Sequence, residues 1–333
     1  MILKVGLVGL GAVSGAHLRA IERQGGLARL AAVCDIDRSK SAKTPGIPFY
    51  TELEEMLKKE KLDCLHICLP HWLHGQAVSL AASYGVNVFV EKPAGLNGQE
   101  AQALKELAMA NGIQAGVCFQ NRYNPTTRKA LELIRSGTYG RLMGCKAIVT
   151  WDRRQGYYDR EPWRGRISQA GGGVMRTQAI HCLDLMRLFG GPVRWVKGMT
   201  GNLLLDELEV EDTACAQIRF ENGAGGIFYG SAAHCCNSSV ELELVLEKGV
   251  LVIQNGRLTL VQGKEEQVLA RDVAAEGQKA YYGSGHDRAV GEFYQKLLGL
   301  GGSFVSLEEA EQTGVLIDRI MESSRKSKRV YWQ

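Results

Sequence analysis

A doubly wound parallel α/β domain, followed by an α+β domain with a large, mostly antiparallel open sheet, is the fold this sequence predicts. Three observations carry the prediction. Apolar runs alternate with helical stretches from residue 1 to about residue 120. The first apolar run, Val5-Gly6-Leu7-Val8, ends in the glycine turn Gly9-Leu10-Gly11. Beyond residue 120 the alternation gives way to extended segments divided by Gly-rich or Asn-Gly turns.

The elements follow in order. Strands are predicted over 4–9, 28–34, 64–69, 86–90 and 114–118, with helices over 16–24, 52–60, 75–84 and 99–111 between them. Leu53, Met56 and Leu57 recur at helical spacing, as do Ala103, Leu104, Leu107 and Ala108. Continuous apolar strands of this kind belong to a parallel sheet covered on both faces. A helix over 126–136 then leads to a strand over 142–151 and a long polar stretch over 152–173, which is rich in Arg and aromatics. Loops of that length are usually functional or disordered, and this composition favours function. A helix over 178–189 precedes strands over 193–200, 212–220, 225–231, 240–247, 250–253 and 257–261. Two helices, over 286–298 and 307–325, complete the chain. The expected division is a dinucleotide-binding domain over 1–120 and a substrate-binding and oligomerisation domain over 121–333.

Composition narrows the function classes. A chain of 333 residues suits two domains of roughly 100–200 residues each. Its 45% hydrophobic and 23% charged residues are those of a globular protein. A net charge of +4 leaves no nucleic-acid footprint, and the basic run Arg325-Lys326-Ser327-Lys328-Arg329 reads as a solvated helix end. The nine cysteines lie mostly in apolar runs without metal-type spacing, so they read as reduced thiols of a cytoplasmic protein. The chain opens directly on a strand and carries no apolar stretch near 18 residues, so neither a signal peptide nor a membrane span is expected. The seven His form no ligand-spaced cluster, and no metal is expected.

The glycine turn Gly9-Leu10-Gly11-Ala12-Val13-Ser14 approximates a dinucleotide fingerprint, with Ser14 in the third glycine's place. The first glycine permits the turn, and the second lets the backbone approach a pyrophosphate at a helix N-terminus. Asp35 ends the second strand, where an acceptor for a ribose 2′-hydroxyl belongs. It favours NAD, and Arg38 nearby leaves NADP open. Glu91-Lys92-Pro93 closes the run 86–90, placing Lys92 at the carboxyl end of a buried strand, where open α/β sheets bind ligands.

Several motifs in register give a resemblance over essentially the full length. They are the glycine turn with His17 three residues after Ser14, Cys34-Asp35-Ile36-Asp37, Leu69-Pro70-His71-Trp72-Leu73-His74, Glu91-Lys92-Pro93, Asn121-Arg122-Tyr123-Asn124-Pro125, and Gly171-Gly172-Gly173 followed by His181 and Asp184. The chain resembles the Gfo/Idh/MocA oxidoreductase family of glucose-fructose oxidoreductase and inositol dehydrogenase. The resemblance implies hydride transfer between nicotinamide and a carbon of a sugar, polyol or sugar derivative, with Lys92 and His181 as acid/base residues. It places the cofactor on Gly9, Leu10, Gly11, Ala12, Val13, Asp35, Ile36, Arg38, Leu69, Pro70, His71, His74, Glu91 and Lys92. It places the substrate against Arg122, Tyr123, Trp163, Arg164, Thr177, Gln178 and His181. Thr177 stands where the family commonly has an Asp, so a Lys–Asp–His proton network is not expected. A free Lys, with a pKa of about 10.4, is protonated at neutral pH, so a base at Lys92 needs burial or neighbouring cations such as Arg122 or Arg164. Clustered cations point to an anionic or strongly hydroxylated substrate. The alternatives are an NAD(P)-binding regulator without turnover and an NAD-dependent glycosidase. The broad second sheet predicts a homodimer or homotetramer.

Overall fold

A computed structural model describes residues 2–153, 156–273 and 285–332. By compactness the chain divides into two units. The first comprises Met1–Gln120 with Gly285–Gln312, and the second comprises Asn121–Ser284 with Thr313–Gln333. By this grouping residues 285–312 lie with the N-terminal sheet, whereas the sequence division placed them with 121–333.

The first unit contains β1 (Leu3–Val8), α1 (Ser14–Arg23), β2 (Ala28–Cys34), β3 (Phe49–Tyr50), α2 (Leu53–Glu60), β4 (Cys64–Ile67), α3 (His71–Ser83), β5 (Asn87–Glu91), α4 (Gly98–Ala110) and β6 (Ala115–Cys118). The strands lie in the order β3-β2-β1-β4-β5-β6, and every neighbouring pair is parallel. That is the doubly wound dinucleotide-binding order. Val5, Leu7, Leu65, Ile67, Val88 and Val90 are fully buried, as strands covered on both faces require. Strand β3 escapes the sequence reading, since two residues carry no apolar run, and so does the short 3-10 helix Arg38–Lys43 before it.

The second unit contains α5 (Pro125–Ser136), β7 (Leu142–Thr150), α6 (Tyr157–Arg160), α7 (Ile167–Ala170), α8 (Val174–Thr177), α9 (Ile180–Gly190), β8 (Val193–Gly201), β9 (Thr213–Phe220), β10 (Gly225–Ser231), β11 (Glu241–Leu246), β12 (Gly249–Gln254), β13 (Arg257–Gln262) and β14 (Glu265–Arg271). After the return to the first unit through α10 (Gly285–Leu297), helix α11 (Leu307–Lys326) begins in that unit and ends in the second, where β15 (Val330–Tyr331) follows. The nine strands order as β14-β13-β12-β11-β7-β10-β9-β8-β15. All pairs are antiparallel except β7 with β10. One face is the core: Ala147, Val149, Ile218, Phe228, Leu242 and Leu244 are buried, together with Leu183 and Met186 of α9. The long polar stretch holds α6 and α7, and α8 follows directly after it; at four residues each, all three are too short to show periodicity in the sequence. β14 was equally silent, being a largely exposed edge strand that begins Glu-Glu-Gln.

The return segment joins the first sheet through specific contacts. The Val117 N–H donates to the Val305 carbonyl at 2.8 Å, and Arg23 of α1 pairs with Asp287 of α10. Phe293 packs on Phe89 with ring centroids 5.2 Å apart. Beneath these rings lies a buried polar chain. His17 Nε2 meets Glu91 Oε1 at 3.0 Å, His17 Nδ1 meets His66 Nδ1 at 2.9 Å, and His66 Nε2 meets the Tyr294 hydroxyl at 2.7 Å. Burial alone would pull His17 down, yet Cys68, Cys118 and Glu91 outweigh it and raise its pKa well above the ordinary value. Burial raises the Cys68 thiol and pushes Cys118 up to about 12, so the anion facing His17 at neutral pH is Glu91. Burial opposes ionisation of Glu91, but the His17 hydrogen bond and charge hold it well below the carboxylate range. Burial and the His17 charge keep His66 neutral. The consistent assignment is His17 donating from both nitrogens, to Glu91 and to His66, while His66 Nε2–H donates to Tyr294.

His17, Glu91, Cys118 and His286 bring potential metal-ligand atoms within 4.8 Å of one another. This corrects the expectation that no His-containing ligand cluster exists. Sequence spacing is blind to it because the members come from α1, β5, β6 and α10. His17 and Glu91 are already joined by a proton.

The pair also sets a pH dependence. Glu91, lowered in the fold, contributes stability above its ordinary 4.5 and loses it as pH falls. His17, raised in the fold, contributes fully below its ordinary 6.5 and loses it as pH rises through the folded value. The pair is therefore fully stabilising between those two ordinary values. His17→Ala should cost roughly 3–5 kcal/mol at pH 6, because it strands a buried carboxylate. Adding Glu91→Gln in the same chain should recover part of that loss, both read from urea midpoints.

Candidate cofactor and substrate sites

In the first unit the nucleotide turn is built by steric demand. Gly9 has φ +90°, and a Cβ there would lie 2.5 Å from the Cys68 carbonyl oxygen, so only glycine fits. Gly11 is exposed, and a Cβ on it would meet nothing within 4 Å. That open side leaves room for a pyrophosphate at the N-terminus of α1. Ala12 is exposed and Val13 half-buried beside it, while Leu10 is buried. The Ser14 hydroxyl, in the third glycine's place, donates to the Gly11 carbonyl at 2.8 Å and closes the turn. These residues fit a dinucleotide.

Asp35 fixes the turn from below. Its carboxylate accepts the Leu10 N–H at 2.7 Å and the Asp37 N–H at 2.9 Å, and Lys40 Nζ stands 3.0 Å from both oxygens. Despite burial, these bonds lower its pKa, so it stays ionised. Lys40 escaped the sequence reading, which considered only Arg38 as the nearby cation. Lys43 also reaches the turn, donating to the Leu10 carbonyl at 2.6 Å. Ile36 and Arg38 are both exposed at this edge, Ile36 91% so.

The other wall comes from the turn between β4 and α3. His74 is buried, with Nε2 2.8 Å from the Leu69 carbonyl and Nδ1 2.8 Å from the Pro93 carbonyl. Burial lowers its pKa, so a neutral ring donates to one of the two and lies close to the other. It thereby ties Leu69-Pro70 to Glu91-Lys92-Pro93, with His71 buried at the start of α3. Glu91, read from sequence with the cofactor residues, has its carboxylate turned into the core. One oxygen takes His17 and the other accepts the Lys92 backbone N–H at 3.1 Å. Its role is to position Lys92, which is half-buried at the carboxyl end of β5.

In the second unit the triple glycine is held by Glu211. Its carboxylate accepts the Gly173 N–H at 2.8 Å and the Met175 N–H at 3.1 Å. Burial outweighs these bonds and raises its pKa. A Cβ on Gly173 would lie 1.8 Å from the Glu211 carbonyl oxygen. The segment after it carries Thr177, Gln178 and His181. Thr177 donates to the Gly173 carbonyl at 2.7 Å and is hydrogen-bonded to Gln178, whose Nε2 donates to the Tyr157 hydroxyl at 3.1 Å. His181 is half-buried on the first turn of α9.

The surroundings of Arg122 differ from those the sequence suggests. Arg122 was expected to offer its charge to the substrate or to Lys92. Instead it forks onto Asp184, Nε to Oδ2 and Nη2 to Oδ1 at 2.7 Å each, with Thr313 donating to the same carboxylate at 2.9 Å. Its charge is spent on Asp184. Tyr123 is buried beside it and Trp163 is half-buried, donating to Glu161 at 2.7 Å. Arg164 lies over the Tyr157 ring, 4.3 Å from its centroid. The sequence reading missed Tyr157 and Glu211; only the aromatic and Arg content of the 152–173 stretch hinted at the first.

Comparison with known proteins agrees with this geometry. Residues 3–119 match the model of the oxidoreductase family with an NAD-binding Rossmann fold, and residues 127–252 match the GFO/IDH/MocA C-terminal domain. The 2,7-anhydro-N-acetylneuraminate hydratase of Mediterraneibacter gnavus is 26% identical over 291 residues, covering 83% of this chain and 75% of that one. The scyllo-inositol 2-dehydrogenase (NAD(+)) of Bacillus subtilis is 26% identical over 259 residues, covering 75% and 73%. The WlbA dehydrogenase of Bordetella pertussis, solved with NADH and UDP-GlcNAcA, superposes with a TM-score of 0.87 at 26% identity, covering 100% of this chain and 99% of that one. With both halves matched and a turn shaped for the dinucleotide, the chain belongs to the Gfo/Idh/MocA family of NAD-binding oxidoreductases.

Proposed function

We propose that this protein oxidises or reduces a carbinol carbon of a sugar, polyol or sugar derivative, with Lys92 and His181 as its acid/base residues. The observation that carries the reading is Lys92 itself, at the carboxyl end of β5 in an NAD-binding sheet, its backbone N–H held by a carboxylate locked into the core. NAD, when bound, supplies the hydride acceptor or donor. What remains for the protein is the hydroxyl proton, which a positioned base must take as the carbonyl forms. Glu91 leaves that task to Lys92, since His17 and the Lys92 N–H occupy its two oxygens. The relatives named above support a sugar or cyclic polyol: one acts on scyllo-inositol, another on 2,7-anhydro-N-acetylneuraminate, and the solved neighbour holds UDP-GlcNAcA. Thr177 cannot titrate, which leaves Lys92 and His181 to handle the proton directly or through water.

Lys92→Ala should lower kcat by about 10²–10⁴-fold while NADH binding, read by fluorescence, is retained. Activity near that of the parent protein removes Lys92 from the mechanism. His181→Ala should also lower kcat, and an unchanged rate reduces it to a structural residue. Net NADH formation separates this reading from a regulator without turnover and from a glycosidase that returns its hydride.

We infer further that the chain works as a homodimer or homotetramer through the outward face of the nine-stranded sheet. Met199 lies opposite Cys215, Cys215 opposite Tyr229, and Tyr229 opposite Ile148, an apolar row across four strands. Ile227, 54% exposed, extends it. Beside the row, Lys146 bridges Glu241 at 2.6 Å and Glu243 at 2.7 Å. A face with an apolar row and both charges suits a copy of itself. Light scattering at micromolar concentration should give at least twice the monomer mass, and Ile227→Glu should shift it towards monomer. A monomeric parent protein overturns the inference.

A further inference from the structure

Resting on the sugar oxidoreductase reading above, we propose that Arg153 and Arg164 form a clamp for an anionic group on the substrate, a carboxylate or a phosphate. The two guanidinium groups share one aromatic ring. Arg153 lies 5.4 Å and Arg164 4.3 Å from the centroid of Tyr157. The outer aromatic partners are Trp151, 4.8 Å from Arg153, and Trp163, 5.5 Å from Arg164. The result is an alternation of ring and cation: Trp151, Arg153, Tyr157, Arg164, Trp163.

The distribution of charge within this unit singles out the pair. Arg176 is deeply buried and the Arg122 side chain is only 9% exposed, and each is bound to a carboxylate, Asp318 and Asp184. Arg153 and Arg164 are half-buried, and among the described residues neither forms an ion pair. Their hydrogen bonds go to neutral oxygens. Arg153 Nη1 donates to the Asp152 carbonyl at 2.8 Å and to Asn237 Oδ1 at 2.7 Å, and Arg164 Nη1 to the Tyr157 carbonyl at 3.4 Å. Each guanidinium has five N–H donors, so each keeps donors beyond these Nη1 contacts. A guanidinium held over a ring keeps N–H donors at its edge, which can fork onto a carboxylate or phosphate. Two like charges held on one ring also repel, and an anion drawn to their edges offsets that repulsion while partial burial strengthens the attraction.

The clamp is tied to the residues assigned to the substrate. Gln178, only 5% exposed, donates to the Tyr157 hydroxyl at 3.1 Å and stands three residues before His181 on the glycine-anchored segment. Ring stacking alone serves a neutral sugar. Two carboxylate-free guanidinium groups add selection for negative charge.

The test pairs D-glucuronate and D-glucose 6-phosphate with D-glucose, and D-galacturonate with D-galactose, measuring NAD-linked turnover and ligand-induced thermal stabilisation. The parent protein should favour the anionic member of a pair, and the preferred anion tells carboxylate from phosphate. Arg153→Gln and Arg164→Gln should each reduce the anionic-to-neutral ratio of kcat/KM by about 10- to 100-fold with the circular dichroism spectrum retained. Arg153→Lys and Arg164→Lys, which keep the charge but lose the fork, should reduce it less. Equal use of charged and neutral sugars by the parent, or a ratio unmoved by the Gln variants, overturns the clamp. If nothing is turned over, the oxidoreductase reading fails, and stabilisation by an anionic sugar still decides the clamp. Stabilisation lost in the Gln variants supports it, and its absence in the parent or persistence in the variants overturns it.

Discussion

A carboxylate placed inside an apolar sheet must be neutralised where it sits, and in the first unit that demand falls on Glu91. Ionised and nearly inaccessible, it is tolerable only because His17 supplies a charged donor from α1 and the Lys92 backbone supplies a second N–H. The same bonds that satisfy it connect three features: the helix after the nucleotide turn, the end of β5, and the backbone of Lys92. His66 and Tyr294 extend the chain of bonds to α10, so the returning segment is fastened to the same charge.

The second unit applies the same rule with a different distribution. Its buried arginines meet carboxylates, Arg122 with Asp184 and Arg176 with Asp318, while the buried carboxylates of Glu211 and Asp212 accept backbone N–H groups. The half-buried Arg153 and Arg164 are treated otherwise, resting on aromatic faces with no carboxylate opposite among the described residues. Buried pairing fixes backbone position, while stacking leaves charge on offer to a ligand. The contrast separates the framework of the unit from its working surface.

The legible parts of the sequence were those whose physics is local. A strand running into Gly9-Leu10-Gly11 and an apolar run ending in Glu91-Lys92-Pro93 each declare themselves within ten residues, and the parallel order of the first sheet followed from the strand–helix rhythm. The antiparallel character of the second sheet was equally readable from its turns, apart from the exposed edge strand and the single parallel pair. Partnerships across long separations were not. Nothing near Arg122 tells that Asp184, 62 positions on, will claim it, or that His66 will meet a tyrosine 228 positions later. Short elements failed for a related reason. Four-residue helices have no period to read, so Tyr157 and Arg153 stayed hidden inside a segment from which only Trp163 and Arg164 were singled out.

The return of residues 285–312 to the first sheet has a consequence for how the molecule is made. A ribosome releases Met1–Gln120 long before the segment that covers Phe89 and His66 has been synthesised. Until then the nascent sheet lacks the hydroxyl of Tyr294 and the ring of Phe293, and one side of β6 lacks Val305. The N-terminal unit therefore reaches its finished core only after the whole of the nine-stranded sheet's first eight strands has emerged. Order of synthesis and order of completion are reversed, which makes residues 285–312 a condition for residues 1–120 to mature.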